Sequence, residues 1–168
     1  MDPQAVYGII FSENKKNVLL VQRRDLPVWV LPGGGLDPKE TPAEGALREV
    51  EEETGYQVEI IRQIAKYLPV NSLTQKTYFF ECRIIGGFAT LNSEARNIRY
   101  FPVANLPSHL PPPFPLWIAD ALLEKQEILT KKIEGVTYWI LCKLLLKHPV
   151  LVLRYLLTKA GIRFNDKT

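Results

Sequence analysis

Between Thr41 and Gly55 the sequence specifies a helix whose carboxylates crowd one face. Thr41 is placed to be the N-cap, Pro42 takes the first helical position, and Glu44 completes a T-x-x-E capping box. Gly55 is a natural C-terminal stop. Glu49, Glu52 and Glu53 are spaced i, i+3, i+4 and therefore share a face, beside a small and apolar face of Ala43, Ala46, Leu47 and Val50. Such a helix can lie on a sheet through its apolar side while three carboxylates repel one another at about a few tenths of a kcal/mol per pair. A hard divalent cation with oxygen ligands reverses that penalty. The preceding run Pro32-Gly33-Gly34-Gly35 lets backbone approach an ion or a phosphate closely. The combination points to metal-assisted chemistry on a phosphate ester or anhydride.

The segment GGLDPKETPAEGALREVEEETGY, residues 34–56, resembles the Nudix box, G-x5-E-x7-R-E-U-x-E-E-x-G-U with U a bulky apolar residue. Gly34, Glu40, Arg48, Glu49, Val50, Glu52, Glu53 and Gly55 are in register, and Tyr56 fills the last apolar place with an aromatic side chain. About seven fixed identities coincide by chance on the order of once in 10⁸ trials. The flanks agree: Trp29-Val30-Leu31-Pro32-Gly33-Gly34 is similar to the family's lead-in, and Ser93-Glu94, Arg99–Pro102 and Asn105-Leu106-Pro107 to its closing strand and turn. The resemblance spans roughly residues 5–107 and implies an α/β fold, a Nudix α/β/α sandwich around a mixed sheet. It implies a metal-dependent pyrophosphohydrolase that cleaves a nucleoside diphosphate linked to another moiety, by attack of water on phosphorus, with Mg²⁺ or Mn²⁺ as cofactor. Carried over by position, Glu49, Glu52, Glu53, Glu94 and the carbonyl of Gly33 would hold metal. Arg48 would orient the glutamates, Glu40 would support the loop, and Glu53 or Glu94 would take the proton from water. Arg23 and Arg24, which close the second strand, are candidates for substrate phosphate. Trp29, Tyr78 and Phe80 are candidates for stacking on a base, with core packing as the alternative. The competing class is a catalytically silent Nudix-like module that binds a nucleotide or scaffolds a complex. Such modules lose box glutamates, and none is lost here. Nucleoside triphosphates, ADP-ribose-like sugar nucleotides and dinucleoside polyphosphates all remain open as substrates.

The rest of the core reads as strands: residues 5–11 and 17–23 as a pair joined by a tight turn, then 57–67, 76–85 and 98–101. Lys15 and Lys16 read as solvated turn charge. A Nudix core over 1–115 is expected to carry a helical extension over 116–168, with one helix at 116–131 and one or two more at 136–160. The proline-rich 107–115 is a stiff connector between them.

That extension decides the remaining questions of class. Residues 136–157 are broadly apolar but hold Lys143, Lys147, His148, Pro149 and Arg154, too many costly groups for a spanning helix. If helical throughout, Lys143, Lys147, Arg154 and Thr158 form one narrow stripe. The expected arrangement packs these helices on the core or in a homodimer; peripheral membrane contact is the alternative. The formal charge of +3 in 168 residues gives no reason to expect nucleic acid. Cys82 and Cys142 lack metal-type spacing and read as buried free thiols, and with no secretory signal the expected location is cytoplasmic.

Overall fold

The computed structural model describes residues 3–147 together with 149, 150 and 153. Two sheets form the middle layer. One holds β1 (Gln4–Ile10), β4 (Gly33–Gly35), β5 (Tyr56–Leu68), β6 (Lys76–Gly87) and β8 (Leu129–Lys132) in the order β4-β1-β6-β5-β8. Its β1–β6 and β5–β8 pairs are parallel and the other two antiparallel, so the sheet is mixed. The other holds β2 (Asn17–Arg23), β3 (Trp29–Val30) and β7 (Ala95–Pro102), all antiparallel, in the order β3-β2-β7.

Helix α1 (Pro42–Thr54) begins and ends where its signals place it. Thr41 and Glu44 form the reciprocal capping box, and Gly55 closes the helix at φ 75° with its N–H on the Glu51 carbonyl. Its Ala46 and Val50 are buried against Val6, Ile10, Leu19, Phe80 and Cys82 on one side of the sheets. On the other side, helix α2 (Phe114–Leu122) buries Phe114, Trp117, Ile118 and Ala121 with Ile9, Leu20, Ile64, Tyr67 and Phe79. Trp117 stacks on Tyr67 with centroids 4.5 Å apart and planes 5° apart. The packed core continues to Ile133, which is 5% exposed.

Two local expectations are corrected. The strands at 5–11 and 17–23 are not a paired hairpin: past a single Phe11–Val18 bridge they enter different sheets. Both edges of β1 are already taken by β4 and β6, so β2 pairs elsewhere. The helix expected over 116–131 ends at Leu122, because Glu124 adopts the left-handed region at φ 48° and Leu129–Lys132 then add to the sheet edge as β8. The segment Glu124–Glu127 is polar and supplies no apolar face to prolong the helix.

Lys15 is not merely solvated turn charge. Its ammonium lies 2.7 Å from carboxylate oxygens of Glu81 and of Glu124. Glu81 is buried and also accepts from Arg62 Nε at 2.8 Å, while Arg62 donates to the Ala121 carbonyl at 2.7 Å. This network ties β6, β5 and the end of α2 together. Glu81→Ala leaves two cations facing a vacated buried site. It is expected to destabilise the protein by about 3 kcal/mol, measured by urea unfolding.

Cys82 is a buried free thiol, and burial pushes it up to about 12, which keeps it unreactive. Helix α3 (Tyr138–Lys147) follows, started by the Thr137 hydroxyl accepting from the Ile140 N–H at 3.2 Å. The Tyr138 hydroxyl bonds Ser72 at 2.7 Å, and Asn71 donates to the Val136 carbonyl at 2.8 Å, so the start of α3 is anchored to the β5–β6 turn. The Cys142 side chain, His148 and most of the segment expected to be helical beyond it lie outside the described residues.

Candidate active site

The acidic face of α1 lies against the glycine strand β4. Gly33 has φ 153°, and a Cβ there would meet the Val6 carbonyl oxygen at 2.3 Å, so no larger residue fits. The tight seat brings the Gly33 N–H to Glu53 Oε2 at 2.9 Å. Arg48 braces the row from the side. Its guanidinium donates to Glu40 Oε1 at 2.7 Å, Glu40 Oε2 at 3.0 Å, Glu49 Oε1 at 3.0 Å, Glu52 Oε2 at 3.1 Å and the Gly35 carbonyl at 3.1 Å. A lysine cannot reproduce that fork. The Glu40 carboxylate beside Arg48 holds the guanidinium's pKa above its ordinary value, and Arg48 in turn lowers that of Glu40.

Arg23, Gly33, Gly34, Gly35, Glu49, Glu52, Glu53, Asn92, Ser93 and Glu94 line one polar cleft of about 590 Å³. Arg23, residues 33–35, the α1 glutamates Glu49, Glu52 and Glu53, and residues 92–94 thus converge from four stretches of chain. Burial pushes the Glu53 carboxyl up to about 7, helped by the neighbouring Glu49 and Glu94 and opposed by the Gly33 N–H. Burial raises Glu49 as well, against the pull of Arg48. Among the described residues no three acidic, cysteine or histidine side chains already stand in mutual coordination geometry. The donor set nevertheless suits a hard divalent cation: carboxylate oxygens beside a backbone carbonyl, with two of the carboxyls raised in pKa by burial.

Glu94 is carried by a loop clamped at several points. The Asn92 amide oxygen accepts from the Glu94 N–H at 2.8 Å and the Ala95 N–H at 2.6 Å, and its NH₂ donates to the Glu52 carbonyl in the last turn of α1. Arg24 adds bonds from Nη2 to the carbonyls of Asn92 and Ala95, and from its N–H to the Glu94 carbonyl. The guanidinium of Arg24 therefore serves the loop, and this residue lines neither cleft nor neighbouring pocket. Asn92 was absent from the sequence reading. Its signal is an Asx turn, an Asn accepting two residues on just before a strand. Asn92→Ala is expected to lower kcat about tenfold with KM little changed, in steady-state assays of any turned-over substrate, by releasing the loop from α1.

Arg23 sits at a junction. Its fork holds Asp25, Nε to Oδ1 at 2.8 Å and Nη2 to Oδ2 at 2.6 Å, and it lines both the polar cleft and a second pocket of about 530 Å³. That second pocket is mainly apolar and aromatic, walled by Tyr7, Leu26, Val28, Phe114, Trp117 and Ile140, with the prolines 111–113 along one side. The proline-rich segment is thus a pocket wall as well as a connector. Tyr7 was a missed residue; its only sequence signal is an aromatic within the small and aliphatic run from Ala5 to Ile10.

The proposed stacking aromatics lie elsewhere. Phe80 is 4% exposed beneath α1 and is a core residue, with no face to offer a base. Tyr78 packs on the same side of the sheet, flanked by the ammonium groups of Lys66 and Lys76. Trp29 packs edge-to-face on Phe101 at 4.6 Å. Neither lines either pocket. Alternation along β6 and β3 directs these rings into or over the core, which composition alone does not reveal.

A mixed-sheet α/β/α sandwich with an acidic capped helix against a glycine strand defines a class of phosphoanhydride hydrolases. The NUDIX domain model matches residues 1–124, and the chain belongs to the Nudix family. A Bacillus subtilis (strain 168) protein named provisionally as an 8-oxo-dGTP diphosphatase is 34% identical over 113 residues, 67% of this chain and 74% of that protein. An ADP-ribose pyrophosphatase of Methanocaldococcus jannaschii is 33% identical over 113 residues, 61% of this chain and 63% of that one. Among solved structures, an ADP-ribose pyrophosphatase from Streptococcus suis 89-1591 superposes with a TM-score of 0.63 at 27% identity, covering 79% of this chain and 99% of its own. Like these relatives, the chain is an enzyme of phosphoanhydride bonds.

Proposed function

We propose that the chain hydrolyses a nucleotide-derived diphosphate, bound with its phosphates in the polar cleft and its base in the apolar pocket. The observation that carries this reading is the sharing of Arg23 between the two spaces. Glu49, Glu52, Glu53, Glu94 and the Gly33 carbonyl would hold Mg²⁺ or Mn²⁺. When bound, such an ion neutralises the diphosphate and lowers the pKa of water. Arg48 keeps the glutamate row aligned through its fork. Arg23, fixed by Asp25, presents a positive group to a phosphate at the mouth of the apolar pocket. Glu53 accepts the proton of the attacking water, as a carboxylate near 7 is matched to that task at neutral pH. Glu94, on its clamped loop, completes the acidic set. The pocket's scarcity of charged side chains favours a base over a second polar sugar as occupant. A nucleoside triphosphate of the kind named for the Bacillus relative fits that better than ADP-ribose.

The experiment is product formation from a panel of nucleoside triphosphates (8-oxo-dGTP included), ADP-ribose, nucleotide sugars and dinucleoside polyphosphates, with Mg²⁺ and with Mn²⁺. Metal-dependent turnover of the triphosphates is expected. A folded chain that shifts its melting temperature with nucleotide yet turns over none of the panel would support a silent binding module instead.

A further inference from the structure

We propose that α3 seats this protein on an anionic lipid surface. Trp139, Lys143, Leu146, Val150 and Leu153 recur at spacings of four and three, which is one face of a helix. All five are exposed: Trp139 at 69%, Leu146 at 85%, Val150 at 69% and Leu153 at 56%, with the Lys143 ammonium 5.3 Å from the Trp139 ring centre. The first turn of the helix is committed to the protein. Ile140 walls the apolar pocket, and the Tyr138 hydroxyl is bound to Ser72. Trp139, Lys143 and Leu146 therefore form an outward stripe on a helix whose first turn is anchored, and the exposed Val150 and Leu153 follow it in the chain.

Charge selects the occupant. From Tyr138 to the end, Lys143, Lys147, Arg154, Lys159, Arg163 and Lys167 stand against the single acid Asp166. A second copy would bring two such basic segments together, whereas an anionic headgroup layer neutralises them. The tryptophan suits the boundary between headgroup and acyl chain, and a lysine beside it reaches back to the phosphates. Among the described residues no helix is long and apolar enough to cross a membrane, so the stripe lies along the surface. Docking in this way would hold the wall of the apolar pocket at the lipid interface, since α3 contributes to both.

The test is co-sedimentation of the full chain with vesicles of phosphatidylcholine plus phosphatidylglycerol, against phosphatidylcholine alone, at low and high salt. Binding to the mixed vesicles is expected, weakened by salt. Leu146→Glu is expected to weaken it about tenfold or more, and Lys143→Glu about thirtyfold, roughly one kcal/mol for each unit of charge changed. Both sites are exposed, so both variants should keep the unmodified thermal melt, which excludes misfolding as the cause. Failure of the unmodified chain to bind mixed vesicles, or binding that neither variant weakens, overturns the proposal. A dimer in sedimentation equilibrium that Leu146→Glu splits would assign the stripe to a second copy and overturn it equally.

Discussion

Replacing Glu53 by glutamine is expected to lower kcat by about 10³-fold while making the metal-free protein more stable above pH 7. The two effects share one cause. Glu53 is buried beside Glu49 and Glu94, and its carboxyl stands at about 7 instead of the ordinary value near 4.5. The folded state therefore resists its ionisation. The sign follows from proton binding: below pH 4.5 the group is protonated in both states and costs nothing. As pH rises from 4.5 to 7 the unfolded chain releases its proton first, and folding stability falls. Above 7 the full loss is present, about 3 kcal/mol. Glutamine keeps an acceptor for the Gly33 N–H at the same position without the charge. In calorimetry with chelator, Glu53→Gln should melt about 8 °C above the unmodified chain at pH 8, and the gain should vanish near pH 4. Adding Mg²⁺ should narrow the gap by stabilising the unmodified chain alone. Equal melting at pH 8 would mean that Glu53 is not held against its charge, and its place at the centre of the acidic set would fall with it.

Trp117→Ala is expected to cost about 4 kcal/mol and to lower the melting temperature by about 10 °C. The indole is 4% exposed, lies parallel to Tyr67 and meets the rings of Tyr7, Phe79 and Phe114. Removing it empties a volume shared by α2 and the sheet, and no neighbour is free to fill it. The same residue walls the apolar pocket, so KM for the preferred substrate should rise while kcat changes less. A mild effect on stability would make α2 an extension that only packs on the core. A severe one places α2 in the core.

Much of the site is legible because its rules are local. The capping box, the i, i+3, i+4 glutamates and the glycine stop operate within one helix, and α1 obeys all three. The same holds for the glycine run, whose Gly33 meets the Val6 carbonyl at a distance only glycine tolerates. Illegible parts depend on partners far away in the chain. Whether 5–11 pairs with 17–23 is decided by β4 and β6, which occupy both edges of β1. Leu129–Lys132 is a strand because the edge of β5 is open to receive it. Phe80 and Tyr7 are both aromatics in neighbouring strands, yet one lies under α1 and the other faces the pocket.

By itself, then, the sequence determined the chemistry: a capped helix must present its glutamates together, since 3.6 residues per turn leaves no other arrangement. Only the tertiary structure decided the walls of the pocket and the clamp on the loop. The apolar pocket joins residues from β1, the proline segment, α2 and α3, and the clamp on Glu94 joins Arg24, Asn92 and the end of α1. Contacts between such distant stretches follow from which faces the sheets leave exposed, and strand pairing across the whole chain sets those faces.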